Sequence, residues 1–223
     1  MNLRKIKLAA IFAAAAVLAA ACGQTKNSAD DTGSASQSRK PNPVSEFEYT
    51  IDSSTDTVTI TRYNGSAAEV VFPSEIDGRP VTALGWSVLH KNDTVTSVII
   101  PDSVTALNEE VFQARKNLKS VKLSKNLKEI PKNAFVRCES LESIEIPEGV
   151  TTIGYCAFHS CSGLKSVIMP DSVTYCDRNA FYGCESLPEV EYRGKIYQNS
   201  DGNGAWDMYD LLMGIRTENP EME

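Results

Sequence analysis

The sequence is poor in the residues that most often do chemistry at neutral pH. Among its 223 residues are two histidines, His90 and His159, and two tryptophans. Neither histidine lies near a G-x-S-x-G nucleophile motif, and H-E-x-x-H, P-loop and dinucleotide-binding patterns are missing. Histidine is the usual general base near pH 7, so the scarcity argues against an enzyme and leaves no catalytic candidate. Cationic excess is missing too: 22 Lys+Arg face 29 Asp+Glu, a formal charge of −7. That balance excludes a nucleic-acid partner, which needs a basic stripe to displace counterions from phosphates. No apolar run reaches the roughly 20 residues that cross a bilayer as a helix.

What the chain does have at its start is an address. Arg4, Lys5 and Lys7 precede the apolar stretch Leu8–Leu18, then come Ala19, Ala20, Ala21 and Cys22, with no acidic residue before them. This is the layout of an export signal over residues 1–21. Leu18-Ala19-Ala20-Ala21-Cys22-Gly23 resembles the lipobox of bacterial lipoproteins, with the leucine four residues before the cysteine where the family usually has it three before. The resemblance implies that the Cys22 thiol carries a diacylglyceryl group and that the protein is exported and membrane-anchored in the cell envelope of a bacterium. Removing residues 1–21 takes away three basic and no acidic residues, so the charge moves from −7 to −10. Residues 22–43, small and polar, cannot bury enough apolar surface to offset ordering. They read as a lipidated, flexible tether of about 20 residues, reaching roughly 25 Å.

The remainder repeats every 23 residues. Leu118, Leu141, Leu164 and Leu187 share one phase, with Val95 one period earlier; Phe112, Phe135, Phe158 and Phe181 share another. Val104, Leu127, Val150 and Val173 form a third column, Leu107, Ile130 and Ile153 a fourth, and Cys138, Cys161 and Cys184 a fifth. A fixed period in this range signals stacked units, none able to bury its apolar face alone. Within a unit, Leu141-Glu-Ser-Ile144-Glu-Ile146-Pro147 alternates like a short strand, and proline ends it by withholding a ladder donor.

Ile100-Pro-Asp-Ser-Val104, Ile146-Pro-Glu-Gly-Val150 with Ala157-Phe158-His-Ser-Cys161-Ser-Gly-Leu164, and Met169-Pro-Asp-Ser-Val173 with Ala180-Phe181-Tyr-Gly-Cys184 closely resemble the BspA-type leucine-rich repeat. The resemblance implies a repeat solenoid, a right-handed coil of about five turns over 70–197 with a short parallel sheet. Val70 to Gly85 resembles a first repeat with five extra residues between Pro73 and Val81, and Ser124 replaces the proline in one unit, weakening its stop. Phe47–Ile51 and Thr57–Tyr63 alternate around Asp52–Asp56, predicting a β-hairpin cap within 44–69. Trp206, Tyr209, Leu212 and Met213 fall at helical spacing, predicting a short helical cap within 198–223.

The aligned cysteines are either buried space-filling thiols or potential partners about 5 Å apart, and the first reading is favoured because three cannot pair completely. Cys156 and Cys176 lie in other columns, and the closest spacing, Cys156 to Cys161, is wider than the C-x₂-C pair that zinc prefers. His159 shares its place in the unit with Gln113, Val136 and Tyr182, an interchange expected of a rim position. Asn199 to Asp210 mimics a calcium loop, but Asn stands first and Asp last where Asp and Glu are expected; a polar turn is the favoured reading. No cofactor and no metal are expected.

The surface most suited to a partner is the outward face of the strands: Ser97, Ile99, Ser120, Lys122, Ser143, Glu145, Ser166, Ile168, Glu189 and Glu191. A rigid extended face presents contacts at little ordering cost. The expected function is non-catalytic protein recognition or adhesion by a monomeric, lipid-anchored surface protein. The family resemblance implies a ligand on host matrix or on a neighbouring cell. A glycan or cell-envelope binding module would carry aromatic platforms on this face, which has none, and a structural spacer would have no ligand.

Overall fold

The computed structural model describes residues 39–198. Every 23 residues the chain returns to the same position one layer along, because side chains of the same column bury one another. The result is a solenoid whose described residues contain almost no helix, a single 3-10 turn at Val44–Glu46.

Two rows of short strands run along it. The first row contains β3 (Glu69–Val71), β6 (Ser97–Ile99), β8 (Ser120–Lys122), β10 (Ser143–Glu145), β12 (Ser166–Ile168) and β14 (Glu189–Tyr192). Strands β3, β6 and β8 pair in parallel, as do β10, β12 and β14, and Glu142 N–H donating to the Lys119 carbonyl at 3.1 Å joins the two sets. Register steps by one period throughout: Ser97 faces Ser120, Ile99 faces Lys122, and Glu145 faces Ile168. Six rungs therefore stack, about six turns of about 23 residues, β3 serving as the rung of the predicted first repeat. The second row includes β5 (Arg79–Leu84), β7 (Ala106–Leu107), β9 (Glu129–Ile130), β11 (Thr152–Ile153) and β13 (Tyr175–Cys176). A third ladder runs through the turns, where the N–H groups of Phe112, Phe135 and Phe158 donate to Ala134, Ala157 and Ala180, at 2.9, 2.7 and 2.7 Å.

The predicted hairpin is present as β1 (Phe47–Asp52) and β2 (Thr57–Tyr63), antiparallel around a turn with Asp56 at φ 53°. It is more than a lid: β2 pairs in parallel with β5, so the hairpin extends the second row. The extra residues after Pro73 form β4 (Glu75–Ile76), folded back antiparallel on β5 around Gly78, at φ 75°. Phe47 packs on Tyr63 and Phe72 with ring centroids 5.2 and 5.5 Å apart and closes that end of the core. At the other end β14 turns at Gly194 into β15 (Lys195–Gln198), which pairs antiparallel with it. The predicted helical cap, the calcium-like loop at 199–210 and Cys22 lie outside the described residues. The folded chain already includes Asn42, which donates its N–H to the Val71 carbonyl at 3.0 Å and accepts the Val71 N–H on Oδ1 at 2.8 Å.

The interior is a set of columns. Phe112, Phe135, Phe158 and Phe181 are fully buried and stacked at centroid distances of 5.4, 5.1 and 5.1 Å. The backbone repeats as strictly. Glu110, Asn133 and Cys156 all have φ between 52° and 59°, and Ala114, Arg137, Ser160 and Gly183 lie between 56° and 75°. Left-handed backbone costs a non-glycine residue roughly 1–2 kcal/mol, and here the stacked core offsets it in coil after coil.

Ser124 departs from expectation. Buried completely, its Oγ donates to the Val104 carbonyl at 2.5 Å and accepts the Asn126 N–H at 3.2 Å. The serine replaces the proline's rigidity with hydrogen bonds, so the stop is held, and β8 still ends at Lys122.

Candidate binding face

The outward side chains of the first row form two parallel lines along the solenoid. One is Glu69, Ser97, Ser120, Ser143, Ser166 and Glu189; the other is Val71, Ile99, Lys122, Glu145, Ile168 and Glu191. Lateral spacing is set by the strand separation, about 4.8 Å per coil. Between the lines, Val98, Val121, Ile144, Val167 and Val190 point inward and are buried. Each outward position therefore rides on a strand locked from behind.

Ser120, Lys122, Ser143, Glu145, Ile168, Glu189 and Glu191 are exposed, Ile168 to 50%, while Ser97, Ile99 and Ser166 are half-buried. The expectation of two exposed isoleucines is corrected at Ile99. It sits against Val71 on β3, and Val71 is itself buried beside the Asn42 bracket. A second exposed isoleucine lies instead at the far end: Ile196, 58% exposed, faces Glu191 across the β14–β15 pair. The sequence signal for this added strand is the short turn at Arg193 and Gly194 before it. The face thus carries an acidic residue between two apolar ones at one end and serines at the other.

Charge along the row is unevenly paired: at its first rung Glu69 pairs with Arg39. Along the flanks, residues one period apart are paired: Lys116 with Glu139 at 2.9 Å, Lys125 with Asp102 at 3.6 Å, Lys165 with Glu142 at 3.7 Å and Lys132 with Glu109 at 3.9 Å. Lys122 and Glu145, also one period apart, form no ion pair among the described residues, and Glu191 has none either. The pattern reflects uneven charge between coils. Residues 116–138 hold seven basic residues and one acidic, whereas 139–161 hold four acidic and no Lys or Arg.

The cysteine column belongs to the interior. Cys138, Cys161 and Cys184 are buried and unpaired, and so are Cys156 and Cys176. The three aligned thiols do more than fill space. Each donates to the phenylalanine carbonyl of the preceding coil, Cys138 to Phe112 at 3.2 Å, Cys161 to Phe135 at 3.1 Å and Cys184 to Phe158 at 3.2 Å. Arg115 stands in the same column one period earlier, and its guanidinium donates to the Leu89 carbonyl at 2.7 Å. Desolvation holds the neutral thiol form, pushing Cys138 and Cys184 up to about 12 and Cys161 well above its ordinary value. Such thiols are poor nucleophiles. Among the described residues no cluster of three or more His, Cys, Asp or Glu has the arrangement to hold a metal ion.

His159 is half-buried on the rim. Its Nδ1 shares a hydrogen bond of 2.8 Å with Ser160 Oγ, its ring lies 5.2 Å from that of Tyr182, and no described carboxylate hydrogen-bonds it. His90 is exposed and stacks on Trp86 at 6.3 Å.

A family model described as the BspA type leucine rich repeat region matches residues 83–201, in six copies. The chain belongs to the BspA-type leucine-rich-repeat family. A leucine-rich repeat protein from T. pallidum is 34% identical, with 68% of this chain and 71% of that one aligned at a TM-score of 0.65. One from Bacteroides capillosus is 27% identical over 57% of this chain and 96% of that one, with a TM-score of 0.50. A third, from Bacteroides ovatus, shares the fold at 24% identity and a TM-score of 0.51, with 65% of this chain and 45% of that one covered. No curated protein matches the chain. Like its BspA-type relatives, the chain is a leucine-rich-repeat solenoid.

Proposed function

We propose that this BspA-type protein is a non-catalytic binding protein of the bacterial cell envelope, exported by residues 1–21 and lipid-anchored through Cys22. Its ligand is a protein on host matrix or on a neighbouring cell, taken up by the first-row face. The observation that carries this reading is the unpaired charge there. Among the described residues Lys122, Glu145 and Glu191, on rigid strands, have no ion-pair partner, while Lys116, Lys125, Lys132 and Lys165 on the flanks each pair with a carboxylate of a neighbouring coil. Unpaired charges flanked by the exposed Ile168 and Ile196 supply both the orienting and the apolar parts of a recognition surface. The fixed backbone lowers the ordering cost of binding.

The test displays the chain without residues 1–21 on beads and offers it extracellular-matrix proteins and intact bacterial cells. Lys122→Ala, Glu145→Ala and Ile168→Ala are each expected to weaken capture; capture unchanged in all three excludes the face. Anchoring is tested separately: labelled fatty acid is incorporated into the full chain expressed in bacteria and not into Cys22→Ser.

A further inference from the structure

The aromatic platforms missing from the first row are found elsewhere. Trp86, 58% exposed, sits at the mouth of an open groove of about 520 Å³ beside the second strand row, lined also by Asn108, Glu109, Glu129, Lys132 and Thr152. A tryptophan this exposed is normally mobile, but this one is fixed on two sides. Its Nε1–H donates to Glu110 Oε2 at 2.7 Å, and the His90 ring stacks against it. One ring face is thereby presented in a set orientation at no further ordering cost.

The column that begins at Trp86 continues at 23-residue steps through Glu109 and Lys132 to Tyr155, which is 50% exposed. Three steps at about 4.8 Å place the second aromatic roughly 14 Å along the column, beyond the residues that line the groove. Between the two aromatics charge is partly compensated. Glu109 is paired with Lys132 at 3.9 Å, and Glu110, already held by Trp86, also accepts Asn133 Nδ2 at 3.3 Å. The side chains of Asn108, Glu129 and Thr152 have no hydrogen-bond partner among the described residues. The groove therefore offers an aromatic face, an amide, a carboxylate and a hydroxyl without bonding partners among the described residues, with a modest negative charge.

We propose that this groove binds a neutral oligosaccharide, a site distinct from the first-row face. Sugar rings present apolar C–H faces that stack on aromatics and peripheral hydroxyls that pair with amide, carboxylate and hydroxyl groups. A basic peptide, the other class that tryptophan and carboxylates together attract, would meet the Lys132 cation within the lining, and it is the competing outcome of the titration. An open groove lined by one aromatic suits a short chain of sugars over a single enclosed ring.

The full chain is titrated by calorimetry with linear tetrasaccharides of N-acetylglucosamine, mannose and glucose, and with an oligolysine peptide. Saturable binding of at least one tetrasaccharide is expected, weakened by about tenfold or more in Trp86→Ala, less in Trp86→Phe, and unaltered in Lys122→Ala, a change of at least about 1.4 kcal/mol. Trp86 is exposed, so the variant should keep its melting temperature, which is measured alongside. The proposal is overturned if no tetrasaccharide binds, if Trp86→Ala binds as the wild type does, or if the oligolysine peptide is the ligand lost with Trp86. Failure here leaves bead capture by the first-row face untouched, so the two readings fall separately.

Discussion

The buried column Phe112, Phe135, Phe158, Phe181 keeps one residue through four coils, whereas the outward column Ile99, Lys122, Glu145, Ile168, Glu191 changes its residue at every step. Both occupy the same lattice and differ only in what surrounds them. A buried side chain in a solenoid touches its own copies above and below, so a residue that stacks well once stacks well everywhere, and departures leave voids. An exposed strand position has only to be compatible with the strand. Its variation is free to encode a partner: the repeating buried columns build the fold, and on the proposed reading the varying outward column carries specificity.

The sharpest way to break this comparison is Phe135→Ala. It removes stacking at about 5 Å on both sides, and a cost of about 3–5 kcal/mol in denaturant unfolding is expected. A cost below about 1 kcal/mol, typical of an exposed site, would mean that the interior columns do not hold the coils together.

Cys161→Ala comes next. It removes a small volume and one of two hydrogen bonds to the Phe135 carbonyl, which also accepts the Cys138 N–H at 3.0 Å, so about 1–2 kcal/mol is expected. The same thiols give the fold a pH dependence. Their folded pKa values are raised, so their contribution to stability is intact below the ordinary thiol value of 9.0 and is lost as pH rises from there toward about 12. Unfolding midpoints measured from pH 8 to 11 should fall more steeply for the wild type than for the variant with Cys138, Cys161 and Cys184 all changed to serine. Parallel curves would contradict the burial of neutral thiols.

The smallest effect belongs to the flanks. Lys116→Ala breaks an exposed pair with Glu139 and should cost about 0.2–1 kcal/mol, shrinking at high salt. A larger loss would make the coil-by-coil charge pairing a structural device on a par with the core.

Much of this was legible from the residues because the period is enforced by burial. The Phe, Leu and Val columns, the alternation at Ser143–Ile146 and the hairpin at 47–63 each follow from where apolar residues recur. Other features depend on distances that spacing does not carry. That Cys161 bonds to the Phe135 carbonyl, that Arg115 takes a cysteine's place by the same kind of bond, and that Ser124 replaces a proline by hydrogen bonding are facts of contact between neighbouring coils. Ile99 was misjudged because its cover, Val71 on the preceding rung, is itself held by Asn42 from a segment read as tether. The Trp86 groove escaped notice because it lies beside the second strand row, where two-residue strands give no alternation to read. The candidate face was legible as a row of side chains, but its unpaired charge was not, since pairing is decided by side-chain reach.

The most direct test measures fold and binding together on one variant, with Lys122, Glu145 and Ile168 all changed to alanine. If specificity resides in the varying columns, this chain loses capture of the wild-type ligand by at least about tenfold, roughly 1.4 kcal/mol, with its melting temperature within a few degrees of the parent. Undiminished capture at an unchanged melting temperature would contradict the assignment of binding to this face.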